Sequence, residues 1–100
     1  MEQFTKDVIH IIQSIPFGKV ATYGQIAKLA NKPRGARQVS WILHTMSAKY
    51  NLPWHRVINS KGEISHTASE QKELLEMEGI EFSLHGKISL KTYQWDPSTE

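Results

Sequence analysis

Apolar side chains recur at intervals of three and four residues in three segments of the first half of the chain, and this spacing predicts three helices. The inward-facing positions are Phe4, Val8, Ile11, Ile12 and Ile15 in the first segment, Ile26, Ala27 and Ala30 in the second, and Val39, Ile42, Leu43 and Met46 in the third. The first helix must end before Pro16, because a proline ring disfavours a helical residue in front of it. We expect the second helix to run from Tyr23 to about Ala30 and the third from about Ala36 to Ala48.

The segments between these helices carry strong local signals. Thr22 and Gln25 have the spacing of a capping box, in which both side chains satisfy free backbone N–H groups at a helix start. Residues 31–35, Asn-Lys-Pro-Arg-Gly, form a turn between the second and third helices. Two helices joined by a tight turn that contains glycine predict a helix-turn-helix, with Ala36 to Thr45 as the recognition helix and Arg37 in its first turn.

The second half of the chain predicts less regular structure. Arg56-Val57-Ile58 is typical of a strand, and the Thr-Ala-Ser-Glu sequence of residues 67–70 predicts a capping box that opens a helix through Met77. Gly79 would close that helix in a left-handed conformation. The apolar residues between Ile80 and Trp95 predict short strands that form a small wing. We therefore predict one domain, residues 1–100, that is mainly α with a small β wing: a winged helix-turn-helix DNA-binding domain.

Charge is distributed very unevenly along the chain. The net charge is +2, yet the segment from Val8 to Gly62 contains eight Lys and Arg residues and no Asp or Glu. Such a segment attracts a polyanion and releases its counterions, so the pattern favours nucleic-acid binding. The alternative is a solvated face with scattered lysines.

The chain contains no cysteine, which excludes disulfides, thiolate metal sites and thiol catalysis. The apolar run from Val8 to Ile12 is interrupted by His10 and is preceded by acids, unlike a signal peptide. No stretch approaches the roughly 20 apolar residues of a membrane span. We therefore expect a soluble cytoplasmic protein with no membrane partner, no metal and no cofactor.

Four segments together resemble a known family. They are Thr22-Tyr23-Gly24-Gln25-Ile26-Ala27, Ala36-Arg37-Gln38-Val39, Pro53-Trp54-His55-Arg56-Val57-Ile58 and Leu74-Leu75-Glu76-Met77-Glu78-Gly79. In order and separation they are similar to the DNA-binding domain of O6-alkylguanine-DNA alkyltransferases. Because Trp54 replaces the alkyl-accepting cysteine, the chain resembles most closely the alkyltransferase-like proteins, which keep the lesion pocket and lack the acceptor.

The resemblance assigns roles to the residues around Trp54. In the alkyltransferases a thiolate takes the alkyl group from guanine O6, activated through a water by a histidine that a glutamate orients. His55 and Glu78 match these partners, but an indole has no basic lone pair and cannot accept the group. We expect His55 and Glu78 to form a structural hydrogen-bonded pair, with a water-activating hydrolytic relay as the alternative. Arg56 is expected to anchor the loop by donating to backbone carbonyls, with a DNA contact as the alternative.

The resemblance also implies how a base would leave the duplex. Tyr23 would rotate the 3′ phosphate, and Arg37 would enter the minor groove and replace the extruded guanine. The alternatives are a core aromatic at Tyr23 and a phosphate contact at Arg37. In the recognition helix, Ala36 and Ser40 are small enough for close approach, and Gln38 supplies a polar contact. Trp41 stands where many alkyltransferases have a very small residue, and the sequence leaves open whether it is in the core or faces the groove.

Four residues are expected to line the lesion pocket: Pro53, Trp54, Val57 and Thr67. The loop of residues 65–68 would lie over its mouth. Some alkyltransferase-like proteins carry an arginine there that stacks on the base, whereas this chain has only His66 and Thr67. A cation–π contribution to base binding is therefore in doubt.

The function implied by the resemblance is DNA damage recognition without catalysis. The chain would bind O6-alkylguanine in double-stranded DNA as a monomer, flip the base, and flag it for nucleotide excision repair proteins or shield it from a true alkyltransferase. The main rival is a transcription regulator that uses the same helix in the major groove. An unrecognised hydrolytic activity is a second rival, and the acid-free basic half disfavours a third, a wing used only for protein interaction.

Overall fold

The computed structural model describes residues 1–64 and 69–99 and is mainly helical. Within these residues the α-helices are Gln3–Gln13 (α1), Tyr23–Leu29 (α2), Ala36–Tyr50 (α3), Ser69–Met77 (α4) and Leu90–Tyr93 (α5). Short 3-10 helices cover Trp54–Arg56 and Pro97–Thr99. Two strands, Ala21–Thr22 (β1) and Val57–Ile58 (β2), form a small sheet. The predicted fold class is confirmed, because three helices with a helix-turn-helix arrangement precede a smaller irregular half.

Helices α1, α2 and α3 bury their apolar faces against one another. The side chains of these three helices that have no exposed surface are Val8, Ile12, Ile26, Ala27 and Val39. Helix α1 ends at Gln13, as the proline at position 16 requires, and the Ser14 hydroxyl donates to the carbonyl of His10 at 2.8 Å. The periodicity in the sequence therefore identified most of this core, but Ile11 and Met46 are only partly buried, and the buried Ile9 was not predicted.

The turn between α2 and α3 is held by close packing. Asn31 has a positive φ of 69°, and the chain then returns so that the N–H of Gly35 donates to the carbonyl of Lys32 at 2.8 Å. A Cβ atom on Gly35 would lie 3.0 Å from that carbonyl oxygen and 3.2 Å from the Phe4 ring. A side chain at position 35 would therefore push the turn away from α1, and glycine fixes where α3 begins.

The small sheet joins the two halves of the chain. Strands β1 and β2 are parallel, with Ala21 opposite Val57 and Thr22 opposite Ile58. Strand β2 was predicted from its two β-branched residues, whereas β1 was not predicted. The pairing brings the start of α2 beside the Trp54 loop, although 30 residues of sequence separate them.

The structure of the tail, from Ile80 to Trp95, differs from the series of short strands that was predicted from its apolar residues. Phe82 and Ile88 form an isolated antiparallel bridge around a turn, and Gln94 bridges to Val20. Between these bridges lies helix α5, because Ser89 caps it by accepting from the N–H of Thr92. The apolar residues of α5 pack against a second core cluster, which is formed by Val20, Ile58, Leu75, Ile80 and Ile88. None of the helices described has the length and apolar character that crossing a bilayer requires.

Candidate functional site

Helix α2 begins with the predicted capping box, and this positions Tyr23. The Thr22 hydroxyl accepts from the N–H of Gln25 at 3.0 Å, and the N–H of Thr22 donates to the Gln25 side chain at 3.3 Å. Gln25 also donates to the carbonyl of Trp95 at 2.6 Å, which ties this helix start to the tail. Tyr23 is half-buried, and burial raises the pKa of its phenol, so the hydroxyl stays neutral and able to donate.

Helix α3 presents the predicted DNA-contacting residues on its outer side. Ala36 is half-buried, whereas Arg37, Gln38 and Ser40 are exposed. Trp41, which the sequence left undecided, is 67% exposed and therefore faces outward. The first two turns of α3 thus offer small, polar and cationic side chains together with one indole.

The loop after α3 turns the chain back towards α2. Asn51 ends the helix in a left-handed conformation, with φ 52°, and the N–H of Leu52 returns to the carbonyl of Ser47. Pro53 then precedes the 3-10 turn that carries Trp54 and His55. The rings of Trp54 and His55 meet edge to face, with centroids 6.1 Å apart. This turn delivers the indole to the space beside α3.

A cavity of about 370 Å³ lies where the loop meets the two helices. Its lining side chains are Tyr23, Ser40, Leu43, His44, Ser47 and Trp54. The sequence predicted Tyr23, Ser40 and Trp54 as site residues, but it did not predict the three others. Their signal was available, because positions 40, 43, 44 and 47 share one face of a helix. The cavity is thus a junction between the predicted DNA face and the predicted lesion pocket.

Behind the loop, Glu78 collects four donors on a nearly buried carboxylate. Its side chain is 6% exposed, and Oε2 lies 2.6 Å from His55 Nε2 and 2.9 Å from Arg56 Nη2. Arg56 Nε is 3.0 Å from both oxygens, and the N–H of Gly18 donates to Oε1 at 2.8 Å. The predicted pairing of His55 with Glu78 is therefore present in the structure.

Arg56 has a larger role than the predicted loop anchor. It does donate to a backbone carbonyl, that of Ile15, at 2.9 Å. Its main partner is nevertheless Glu78, and the ring of Phe17 covers its guanidinium at 5.8 Å. We refer to Gly18, His55, Arg56 and Glu78 as the Glu78 network.

The electrostatics of the Glu78 network favour an ionised carboxylate. Burial alone would raise the pKa of Glu78, but the hydrogen bonds from Arg56, Gly18 and His55 outweigh it and lower that pKa below its ordinary value. An ionised carboxylate only accepts hydrogen bonds, so His55 Nε2 carries the proton between them. The histidine is thereby oriented as a general base would need, although the neighbouring position holds an indole, which has no basic lone pair and cannot act as the nucleophile in alkyl transfer.

Gln71 supports the same loop from α4 and was not predicted. Its amide nitrogen donates to the carbonyls of His55 and Val57, at 3.1 and 3.2 Å, and the side chain is buried. A buried glutamine whose donors are both used fixes the backbone on either side of Arg56. The loop therefore has backbone support as well as the side-chain contacts of the Glu78 network.

Pro53 and Val57, which the sequence also predicted for the lesion pocket, do not line this cavity. Pro53 comes directly before the 3-10 turn, and Val57 is buried in β2 with its carbonyl held by Gln71. Thr67, together with the loop of residues 65–68 and the capping box predicted there, lies outside the described residues. Among residues 1–64 and 69–99, no group of three or more His, Asp or Glu side chains is arranged to hold a metal ion.

Comparison with known proteins shows which family, relatives and solved structures this chain is similar to. Residues 3–80 match the family described as the DNA-binding domain of 6-O-methylguanine DNA methyltransferase. A DNA base-flipping protein of Vibrio parahaemolyticus is 48% identical over 97% of this chain and 100% of its own length. Alkyltransferase-like protein 1 of Schizosaccharomyces pombe is 41% identical over 97% of this chain and 98% of its own length. The crystal structure of S. pombe Atl1 in complex with damaged DNA containing O6-carboxymethylguanine superposes with a TM-score of 0.83 and 40% identity, over 97% of this chain and 98% of that one.

Proposed function

Because the chain belongs to the family of 6-O-methylguanine DNA methyltransferase DNA-binding domains, we propose that it recognises O6-alkylguanine in duplex DNA without removing the alkyl group. In this function the protein flips the damaged base out of the stack and holds it. The chain contains no cysteine, so no thiol is present to accept an alkyl group. Recognition, rather than repair chemistry, is the activity that remains.

The observation that carries the proposal is the position of Trp54. Its indole lines the cavity between α2 and α3, and the next residue in the chain, His55, belongs to the Glu78 network. A relative named a DNA base-flipping protein and a relative crystallised with damaged DNA both align over nearly the whole chain. An apolar ring at this point favours an alkylated base, because contact with the alkyl group removes apolar surface from water.

The two helix starts supply the groups that base extrusion needs. A guanine inside a duplex must rotate out of the stack before it can enter a protein pocket, and the vacated space must be filled. We assign phosphate rotation to Tyr23, whose neutral hydroxyl is a suitable donor to a phosphate oxygen. Arg37 is exposed at the first turn of α3 and fills the vacated space. Ala36 and Ser40 permit close approach of the helix, and Gln38 adds a polar contact.

The lesion pocket in this proposal combines Pro53, Trp54, Val57 and Thr67 with the side chains of α3 that line the cavity. Trp54 contacts the alkyl group, and the backbone around Val57 contacts the base. His55 and Glu78 hold the loop rigid and take no part in chemistry. A rigid pocket loses little entropy on binding, so its rigidity increases affinity for the flipped base.

We further propose that the protein acts in the cytoplasm as a monomeric domain and marks lesions for nucleotide excision repair. A protein that holds an extruded base and does not react with it forms a complex whose lifetime depends only on dissociation. Such a complex presents bent DNA and an extruded base to later factors. The acid-rich second half, with eight acids and three lysines from Glu63 onwards, supplies a surface of opposite charge to the DNA-facing half.

The decisive experiment is a titration of two short duplexes at one fixed salt concentration. One carries a single O6-methylguanine, and the other is its unmodified twin. We expect the lesion duplex to bind at least about tenfold more tightly, because a weakened base pair costs less to open and the alkyl group gains apolar contact. Equal affinity for the two duplexes contradicts lesion recognition, and preference for one unmodified sequence indicates a transcription regulator instead.

A variant at Arg37 tests the extrusion step separately. Arg37→Ala should weaken lesion binding by about 1–3 kcal/mol, as expected when the group that fills the vacated stack is lost. Lys49→Ala is the matched control, because it removes a positive charge from the far end of the same helix. It should weaken binding to both duplexes slightly and equally, through the general attraction to phosphates. An equal loss in the two variants means that Arg37 acts only as a charge.

A further inference from the structure

Trp41 is the large side chain of α3 that the proposed function leaves without a role. It is 67% exposed, although an indole is among the largest apolar groups in proteins. At helical spacing it lies one turn beyond Arg37 and one turn before Thr45, whose hydroxyl donates to the Trp41 carbonyl at 2.9 Å. Arg37, Trp41, His44 and Ala48 share the outermost stripe of the helix, on the side opposite Val39. We call these four residues the α3 ridge.

We propose that Trp41 lies in the minor groove of duplex DNA and contacts the sugars and base edges beside the flipped nucleotide. The inference rests on the proposed function, because it uses the same docked helix, but it assigns a separate contact. Arg37 acts at the vacated position, whereas Trp41 acts on base pairs that stay stacked. It is a binding residue of the intact duplex and not part of the lesion pocket.

The geometry of a helix fixes which part of the duplex Trp41 reaches. Four residues of α-helix rise about 6 Å, and successive base pairs rise about 3.4 Å. With the α3 ridge along the groove, Trp41 therefore lies about two base pairs from the place where Arg37 enters. At that separation its indole is beyond the extruded base and faces paired nucleotides.

The chemistry of the indole fits the minor groove better than it fits the phosphate backbone. Its flat apolar face packs on deoxyribose, and its N–H donates to the N3 and O2 acceptors that A·T pairs display there. It carries no charge, so it neutralises no phosphate.

The surroundings of Trp41 favour DNA over a protein partner. The whole segment from Val8 to Gly62 lacks Asp and Glu, so the α3 ridge has no acid of its own. Arg37 precedes the indole on this ridge, and the cavity with Trp54 opens beside it through Ser40 and His44. An exposed indole that follows an arginine on an acid-free helix face is thus continuous with the proposed DNA interface.

The test compares Trp41→Ala with the unaltered protein on the lesion duplex and on its unmodified twin, over a series of salt concentrations. Alanine keeps the helix, and the exposure of Trp41 means that the thermal midpoint should change by no more than a few degrees. We expect affinity for both duplexes to fall by about tenfold, with an unchanged slope of log K against log salt. Leu84→Ala is the control, because Leu84 is a fully exposed apolar side chain far from α3 in sequence, in the Ser83–Gly86 turn.

Three results overturn the assignment. The first is a Trp41→Ala variant that binds both duplexes as tightly as the unaltered protein, or more tightly. The second is a reduced salt slope, which means that phosphate contacts were lost instead of groove contacts. The third is an equal loss of affinity in Leu84→Ala. Failure of the proposed function gives a different result, because the unaltered protein would then bind the lesion duplex and its unmodified twin with equal affinity. The loss of affinity in Trp41→Ala would still test the groove contact.

Discussion

The carboxylate of Glu78 and the indole of Trp41 differ sharply in solvent exposure and in the number of groups that hold them. Glu78 is 6% exposed and accepts hydrogen bonds from two other side chains and one backbone N–H. Trp41 is 67% exposed, and its position is set by the helix that carries it. Replacing a side chain of the Glu78 network leaves its partners without their hydrogen bonds. A residue on the α3 ridge, by contrast, can change without disturbing the fold. The network therefore holds the loop in place, and in the proposed function the α3 ridge and the cavity select what binds.

Trp54 stands between these two regions. Its backbone belongs to the 3-10 turn that the Glu78 network and Gln71 hold in place, whereas its ring lines the cavity beside α3. This arrangement explains how the side chain at position 54 can be an indole while the support behind it resembles that of an enzyme. The chemistry depends on one side chain, but the geometry depends on several.

The largest effect should come from breaking the Glu78 network. Glu78→Gln keeps the shape of the side chain but removes the charge that Arg56 and His55 face in a mostly buried site. We expect the free energy of unfolding to fall by about 3–5 kcal/mol, because removal of one partner leaves the other charge without compensation. Urea denaturation followed by circular dichroism measures this change, provided that the slope against denaturant stays the same.

Glu76→Gln provides the matched control for this prediction. Glu76 lies in the last turn of α4, two residues before Glu78, which follows the end of that helix, and Glu76 is exposed. Its replacement should change the free energy of unfolding by no more than about 0.5 kcal/mol. Similar losses in the two variants would show that the Glu78 network adds no more to stability than a surface charge does.

A smaller effect on stability, together with a clear effect on recognition, should follow from Trp54→Ala. The ring is partly buried against the main core, so we expect a loss of about 2–3 kcal/mol in the free energy of unfolding. The ratio of lesion to unmodified affinity should fall by about tenfold, because the alkyl group loses its apolar contact. Trp54→Phe, which keeps most of the apolar surface, should retain most of that ratio. An unchanged ratio in Trp54→Ala would place the lesion contact elsewhere.

The features that could be predicted from the sequence are those set by neighbouring residues. The capping box of Thr22 and Gln25 depends on four consecutive positions, and the helices depend on a repeated spacing. The resemblance also paired His55 with Glu78 correctly. By contrast, Gly18 and Glu78 are 60 residues apart in the sequence, so no local pattern predicts the hydrogen bond between them.

The other differences have similar physical causes. His44 and Ser47 share a helix face with the predicted residue Ser40, but both are polar, so the spacing of apolar residues did not mark them as lining a cavity. In the tail, the spacing of apolar residues suggested strands, but the side chain of Ser89 caps a short helix instead. Local hydrogen bonding decided the conformation there, because a few apolar residues fit either structure.

The smallest predicted effect is a pH dependence of the free energy of unfolding. It separates the contribution of the Glu78 charge from the contribution of its side-chain shape. Folding lowers the pKa of this carboxyl below its ordinary value of 4.5, although burial by itself would raise it. A lowered pKa in the folded state means that ionisation stabilises the fold above pH 4.5, and that this contribution is lost as the pH falls below 4.5 through the folded-state pKa. The difference in unfolding free energy between the unaltered protein and Glu78→Gln should therefore be constant from about pH 7 to pH 5 and shrink at lower pH. Other carboxyls titrate in both proteins and largely cancel in the difference. A difference that stays constant down to about pH 3 would mean that Glu78 contributes through its shape and hydrogen bonds alone, and not through its charge.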